Sequence, residues 1–574
     1  MTGMPPAGRW GKSLSLGSPP AFLEHTLTMR IAGFVLLLSA TCLGAASARQ
    51  RPNDTGTIVI VVGQEATTPV PTIPATKANG DVMSLLFLKL ARLDGSRGTV
   101  EDRGYTPELA ARWTRRDSLT IAFDLDPRAR WHDGRPVIAR DFVQVFDRVR
   151  QPGVDPQVRL LTRHIASVTA EGERVVVFRF ARTYPEQFYD AIENVVPLPS
   201  HLVDTIPADR MAASAYAQAP IGNGPYRWVR REPGRQVELA SEPDFFLGRP
   251  KLERILLLLA RDYEAQINLL LDGTADALEN VNPPARIARV AARPGYKVVA
   301  GPSYGVGYLL FNFKAYGDRT QPHPILGDPA VRRAIATGLD RQMILRSTLG
   351  PYGSIPEGPV AQLHWIRDPA WRPAPANPAG AVAMLRRAGW IDSNGDGILD
   401  RNGTPLILRL NYPGTNAVRA TMAAQVQEQL RHLGVRIELV RLDGPVWLDR
   451  RTKGEFDLDF SQAIMTPSPT GLVQSWSCGG MDGSNVGHYC NPRIDSLLGA
   501  AAIGRTDPLP LYREALTVVR TDAPAVFLFT VSNATAIHTR FQNVQFRPEA
   551  WWSLLWKWSV RPGAQIARDR STSR

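Results

Sequence analysis

Between Leu406 and Val440 the chain carries a complete strand, helix, strand unit. Leu406, Leu408 and Leu410 alternate on one face of a strand, and Met422, Val426, Leu430 and Leu433 stripe a helix. Gly434 stops that helix, and Val435 to Val440 reads as a second strand. Such a unit crosses over right-handed between parallel strands, so the chain is directed to an α/β fold. Local punctuation elsewhere agrees. Thr57 to Val62 is a short β-branched run ending at Gly63, as a buried strand does. Asp328 is placed to cap a helix with Pro329 at its first position and Val331, Ile335, Leu339 and Met343 along one side. Asn377-Pro378 starts another helix, which ends before Gly389.

The first half mixes in more strand. Val82 to Leu93 reads as a helix, then Leu119, Ile121, Phe123 and Leu125 alternate in a strand, and Arg174 to Phe180 forms another. Residues 94–214 therefore read as a β-rich insertion. Gly222-Asn223-Gly224-Pro225-Tyr226 is a turn feeding a strand, with glycines expected to supply positive φ. Lys251 to Leu259 is expected as a strand and Asp262 to Leu271 as a helix. Asp522 to Phe529 is an apolar strand that returns the chain to its first part, followed by Trp551, Trp552, Trp556 and Trp558, read mainly as packing residues.

With 574 residues, 44% of them hydrophobic and 21% charged, the chain can bury large cores and is not a disordered polymer. Met29 to Ala48 has one positive charge, an apolar run from Ile31 to Leu43 and the small triplet Ala46-Ser47-Ala48, the pattern of a cleavable secretory signal. Residues 1–28 resemble nothing structural, and Met29 is the better start. Lipid anchoring is disfavoured, because Ser39-Ala40-Thr41 before Cys42 lacks the Leu and the Gly or Ala that such sites carry. A chain cut after Ala48 loses Arg9, Lys12, Arg30 and Glu24 and keeps +11 of its formal +13. The basic residues are scattered, with no block of five, so nucleic-acid binding is not expected. Cys478 and Cys490 are then the remaining cysteines of an exported chain, and a disulfide between them is expected. A metal pair with His488 is the weaker reading, for want of a fourth donor.

No His-Glu-x-x-His motif occurs. Asp392, Asn394, Asp396 and Asp400 follow the spacing of a calcium loop, but Gly403 stands where its bidentate Glu belongs. A solvent-facing turn is the leading reading there, with calcium structural if it binds. His132 is expected to fix a turn. No cofactor is expected.

Pro107-Glu108-Leu109-Ala110-Ala111-Arg112-Trp113, then Trp131-His132-Asp133-Gly134-Arg135-Pro136-Val137 and Asp141-Phe142, resemble the signature region of the peptide/nickel-type solute-binding proteins of ABC importers, the oligopeptide- and dipeptide-binding-like extracellular family 5. The Gly-Asn-Gly-Pro-Tyr turn, Val331-Arg332-Arg333-Ala334-Ile335 with Asp340-Arg341, Gly389-Trp390 and Asn491 to Leu498 continue the resemblance in order along the chain. It implies a type II periplasmic binding protein fold, α/β, with two lobes, an extra β-rich subdomain and a ligand cleft between the lobes. Mapped here, lobe I is 49–93, 215–302 and 532–574, the subdomain 94–214 and lobe II 303–531, with hinges near Tyr304 to Phe313 and Val526 to Asn533. It implies no enzyme: a periplasmic monomer that captures a small solute (peptide, oligosaccharide or metal chelate) and delivers it to permease subunits in the inner membrane. The alternative is a secreted hydrolase acting on peptides or glycans in a cleft.

Peptide-binding members carry an Asp in an Asp-Tyr-Pro-Asp-Pro-like segment of lobe II that pairs with the peptide's amino group. Met465-Thr466-Pro467-Ser468-Pro469 stands there in this chain, without either acid. Ligand contacts are expected from Met465, Trp476, Asn485 and Tyr489, from Gln64 and Glu65 after the first strand, and from Tyr304 at the crossing. Glu65 is the candidate to replace the missing amine partner.

Overall fold

The computed structural model describes residues 56–569, apart from residues 74–75, 95–97, 152–153, 155, 282, 415–416, 482 and 505–506. The expected signal segment and the start of lobe I at residues 49–55 lie outside the described residues. An eleven-stranded sheet runs through the molecule in the order Arg436–Leu442, Ile407–Pro413, Leu458–Ile464, Tyr296–Phe311, Ala525–His538, Ala277–Leu278, Thr57–Val62, Arg254–Leu259, Gln236–Ser241, Tyr226–Glu232, with Gly353–Ser354 paired to the side of Ala525–His538.

Two parallel blocks sit at its two ends. Thr57–Val62 runs parallel to Arg254–Leu259 and Ala277–Leu278. Ile407–Pro413 runs parallel to Arg436–Leu442 and Leu458–Ile464, with the helix Ala417–Arg431 as the crossover that the sequence foretold. The first block is covered on both faces, and so is Tyr296–Phe311 beside the second. Ile58 and Ile60 enter one core and Val59 and Val61 another; Leu309 and Phe311 enter a third, Val306 and Tyr308 a fourth. That double burial explains why residues 58–62 are apolar throughout.

The blocks are joined by two long antiparallel strands, Tyr296–Phe311 and Ala525–His538. Tyr296 to Pro302 pairs with Ser532 to His538, Val306 to Leu310 pairs with Ala525 to Thr530, and the register shifts between Pro302 and Val306 and again between Gly307 and Tyr308. A register break bends a strand and leaves backbone unpaired. Here the first break falls where the chain passes from one block to the other, and the second lies beside Leu458–Ile464.

A separate antiparallel sheet, Ala110–Asp117, Thr120–Leu125, Val175–Phe180 and Ile165–Glu171, lies within the expected insertion, with the helix Ala139–Val149 against it. Its indole Trp131 donates to Asp141 at 2.9 Å, and Asp141 also accepts from Ile138 N at 3.0 Å and Ser200 N at 2.9 Å.

The sequence-based elements hold where local chemistry sets them. Asp328 accepts from Ala330 N at 2.8 Å and opens Pro329–Gly338; Asn377 accepts from Gly380 N at 2.8 Å and opens Pro378–Arg387. Others are corrected. The helix expected over Val82 to Leu93 spans Lys77–Leu86 instead, capped by Thr76, and Ala91–Leu93 is a strand. Met343 leaves the stripe begun at Val331: Leu339 is extended, Asp340 caps a new helix Arg341–Thr348, and Met343 is exposed. Cys478 and Cys490 form the disulfide. Among the described residues no helix is long and apolar enough to cross a membrane.

Candidate functional site

Strand register fixes where the two blocks point. Ala277 and Leu278 pair with Ile537 and Ala536, which also pair with Lys297 and Val298, so the end of Thr57–Val62 is level with Val299 of the crossing strand. On the other side Ile464, the last residue of Leu458–Ile464, pairs with Gly305. The carboxyl ends of both blocks therefore approach one stretch of the crossing strand, residues 299–305. Six residue steps of strand make a floor of about 20 Å. Ligands of open parallel sheets bind outside the carboxyl ends of the strands, and here two such ends share one floor.

The first block contributes charge. Lys77 of the helix Lys77–Leu86 pairs with Asp81 at 2.7 Å and with Glu279, just past Ala277–Leu278, at 2.8 Å. Asn533 of the second crossing strand reaches Glu279 at 3.4 Å. Lys77 keeps 57% of its side chain exposed while the two acids keep 18% and 13%. Burial pushes both carboxyls above their usual range, against the pull of Lys77. Gln64, Glu65, Asp81 and Trp552 line one crevice beside it.

The second block contributes two arginines around an indole. Its helices Ala417–Arg431 and Gly444–Lys453 follow the carboxyl ends of Ile407–Pro413 and Arg436–Leu442, which places Arg419 and Trp447 in their first turns. The Arg419 and Arg451 guanidinia lie 5.6 and 5.7 Å from the Trp447 ring centre. The Trp447 N–H donates to Asp459 at 2.7 Å, Arg451 pairs with Asp459 at 3.3 Å, and Ser461 donates to it at 2.5 Å. Asp459 is fully buried, and burial raises its carboxyl against the opposing Arg451 charge.

The residues expected from sequence separate into two groups. Gln64 is exposed at the end of the first strand, and Met465 is half-buried where Leu458–Ile464 ends, its N–H donating to the Tyr304 carbonyl at 3.1 Å. Tyr304 is buried on the floor with its ring edge-on to His364 at 6.0 Å. Glu65 is held by the Gly234 N–H at 3.1 Å and by Arg231 at 3.4 Å, so its charge already has partners within the protein.

The structure places Trp476, Asn485 and Tyr489 in buried positions. Trp476 packs between Tyr308 and Phe527 at 5.5 and 5.3 Å. Asn485 donates to the Ser477 and Tyr489 carbonyls at 2.9 and 2.6 Å and so ties its own loop, while the Tyr489 hydroxyl donates to Asp522 at 2.6 Å. Lys77, Asp81, Glu279, Arg419, Trp447 and Arg451 were missed; only the Lys77 and Asp81 spacing of four on a helix was a readable signal.

The Asp-rich turn satisfies its own backbone. Asp392 accepts from Gly395 and Gly397 N at 2.7 and 3.0 Å, Asn394 accepts from Asp396 N at 3.0 Å, Asp396 accepts from Ile398 N at 2.8 Å, and Asp400 accepts from Ser393. Among the described residues no three His, Cys, Asp or Glu side chains gather at metal-binding geometry.

Residues 104–483 match the model of the "Bacterial extracellular solute-binding proteins, family 5 Middle". The chain is 25% identical over 463 residues to the oligopeptide-binding protein AppA of Bacillus subtilis, covering 75% of this chain and 81% of that one. It is 23% identical over 513 residues to the probable D,D-dipeptide-binding periplasmic protein DdpA of Escherichia coli, covering 85% and 92%. The solved structure of B. subtilis AppA with a nonapeptide is similar with a TM-score of 0.72 at 22% identity, over 88% of this chain and 99% of that one. NikZ of Campylobacter jejuni in complex with Ni(L-His) is similar with a TM-score of 0.74 at 22% identity, over 89% and 100%. The fold is thus the α/β two-lobed periplasmic binding protein fold. With the family model spanning most of the chain, this protein belongs to the family 5 bacterial extracellular solute-binding proteins.

Proposed function

We propose that this chain is the solute-binding component of an ABC importer, exported to the periplasm, which encloses a small organic solute between its lobes and hands it to a membrane permease. Lobe I is taken as 49–93, 215–302 and 532–574, with the insertion 94–214 attached, and lobe II as 303–531. One observation carries the reading: the carboxyl ends of two parallel blocks meet over the broken register of two crossing strands. That arrangement is a cleft over a hinge. Lobe closure follows when the solute binds the closed state better than the open one.

The cleft walls also favour a solute class. The lobe I wall sets two carboxylates against one ammonium, and the lobe II wall sets two guanidinia around one carboxylate. A solute with an ammonium at one end and a carboxylate at the other, such as a short peptide, meets opposite charge on each wall. Its amine would face Asp81 and Glu279, in place of the acidic segment replaced here by Met465 to Pro469. The hydrolase alternative has nothing in the family or the geometry to favour it.

The test is a thermal-shift and native mass-spectrometry screen of residues 49–574 against di- to pentapeptides, oligosaccharides and nickel chelates, with recovery of the intact compound checked. A peptide at about 100 times its Kd is expected to stabilise the protein by roughly 2.7 kcal/mol. Glu279→Gln is expected to weaken that peptide by about tenfold, or roughly 1.4 kcal/mol. A response only to uncharged sugars would sink the zwitterion reading; turnover of the compound would sink the binding reading.

A further inference from the structure

The segment that replaces the acidic motif has another attachment. Ser468 and Thr470 of lobe II donate their hydroxyls to Glu186 at 2.9 and 3.2 Å, and Thr99 of the insertion donates to the other oxygen of the same carboxyl group. Trp365 holds the segment from its own side, donating to Pro467 O at 2.9 Å, and its indole lies where a side chain on Gly98 would be, within 2.9 Å. The Tyr189 hydroxyl bonds Thr466. Lobe II thus docks on the insertion through a carboxyl group that is 92% shielded from solvent and is bonded by three hydroxyls.

We propose that Glu186 is a proton-dependent latch between the insertion and lobe II, which holds the lobes together when the carboxyl is protonated and releases them when it ionises. The contact suits the neutral acid. Hydroxyls donate or accept with equal ease, so Thr99, Ser468 and Thr470 can turn to receive the proton of a carboxylic acid without moving any heavy atom. Among the described residues an ionised carboxylate has only these three hydroxyl donors to offset the loss of water, and an enclosed anion without a cation costs several kcal/mol.

The surroundings work in the same direction. Among the described residues the groups facing Glu186 are Thr99 and Tyr105 from the insertion's first segment, Tyr184, Tyr189 and Asp190 from around its own helix, and Ser468, Thr470 and Tyr512 from lobe II. Arg115 lies on the neighbouring Gln187 at 2.9 Å, paired with Asp102. Burial raises the Glu186 carboxyl above its usual range, against the three hydroxyl bonds. Asp190, one turn on, is raised to about 7 by burial and by Glu186; its own partners, Tyr184 at 2.7 Å and Asn194 at 3.3 Å, are within the insertion, and Arg163 opposes the shift.

The sign follows from linkage. Undocking returns Glu186 to water and to an ordinary carboxylate, so the docked state is the one with the raised value. Docking is fully favoured below the ordinary carboxylate range and weakens as pH rises through the docked value. Over that window the ratio of open to closed protein climbs by up to about tenfold per pH unit for one linked proton.

The experiment uses residues 49–574 without any solute, so its outcome is separate from that of the solute screen. Small-angle scattering from about pH 5 to 8 is expected to show the radius of gyration of the native chain growing with pH, while Glu186→Gln, which keeps the shape and cannot ionise, stays compact. Asp190→Asn is expected to follow the native protein. Amide exchange at Thr470, whose N–H donates to Ser468 Oγ at 3.2 Å, gives a second readout, compared between native and Glu186→Gln at one pH so that the intrinsic rate cancels. About tenfold faster exchange in the native chain near pH 8 supports the latch. A radius that does not change with pH, a Glu186→Gln protein that expands alongside the native one, or loss of the response in Asp190→Asn would each overturn it.

Discussion

Replacing Arg540 by Met is expected to cost about 3–5 kcal/mol of stability, the loss seen when one partner is taken from a buried ion pair. Arg540 is 3% exposed. Its guanidinium donates to Asp276 at 3.0 and 3.1 Å, to Asp569 at 2.8 Å and to the Thr57 carbonyl, and it lies 4.3 Å from the Phe541 ring centre. Asp569 accepts from Thr57 N at 2.8 Å, and Asp276 accepts from Val59 N at 2.9 Å and from Arg568. One cation thereby joins the first strand, the strand ending near Glu279 and the last segment of the chain, positions separated by as many as 512 residues. Without it two carboxylates are left in a dry core, with Arg568 still touching Asp276. Urea unfolding of residues 49–574, followed by tryptophan fluorescence, measures the effect. A loss below about 1 kcal/mol would mean that the carboxylates protonate or hydrate at little cost. Asp276 and Glu279 flank the same short strand, Ala277–Leu278, so the variant is expected to loosen the Lys77 and Glu279 pair first.

What the sequence disclosed and what it withheld divide by distance along the chain. Asp328 before Pro329, Asn377 before Pro378 and Gly434 after its helix act within one turn, and each reads correctly because the partner is a few residues away. The stripe from Val331 failed at Met343 for an equally local reason: Asp340 is a better cap than helix interior, and its side chain accepts from Met343 N at 2.8 Å. The cleft was another matter. Glu279 lies 202 residues from Lys77, and Glu186 lies 282 from Ser468. Pairs of that kind are set by topology, which hydrophobic period and turn chemistry constrain only indirectly. Trp476, Asn485 and Tyr489 show the converse ambiguity. Their composition suits a ligand, but the same donors and rings serve equally to fix a loop, and here they do so.

Gly222→Ala is expected to destabilise the protein by about 3 kcal/mol or more, at the upper end of what overpacking does. The reason differs from the one first drawn from the sequence. Neither Gly222 nor Gly224 has a positive φ. They are glycines because the turn lies directly on the end of the helix Lys77–Leu86: a Cβ on Gly222 would stand 2.0 Å from the Leu86 carbonyl oxygen, and one on Gly224 2.5 Å from that of Leu85. Asn223 and Gly224 both donate to the Leu86 carbonyl, at 2.9 and 2.8 Å, so backbone opposes backbone and neither side can turn away. His132 clamps the turn from the other side. Gly222 N–H donates to His132 Nδ1 at 3.2 Å, which leaves the proton on Nε2 to donate to Gly224 O at 3.0 Å. The two signature motifs of the sequence are thus two halves of one joint, and that joint needs a neutral imidazole. Burial holds His132 at about 4. A depressed value means that its contribution is complete above the ordinary histidine range and is lost as pH falls from about 6.5 through 4, a change of roughly 3 kcal/mol. His132→Asn offers an amide for the same two backbone partners without a charge to gain. Its stability is expected to start lower at neutral pH and to fall less between about pH 6.5 and 4. Parallel acid-unfolding curves for the two proteins would show that the imidazole's protonation is not what opens the joint.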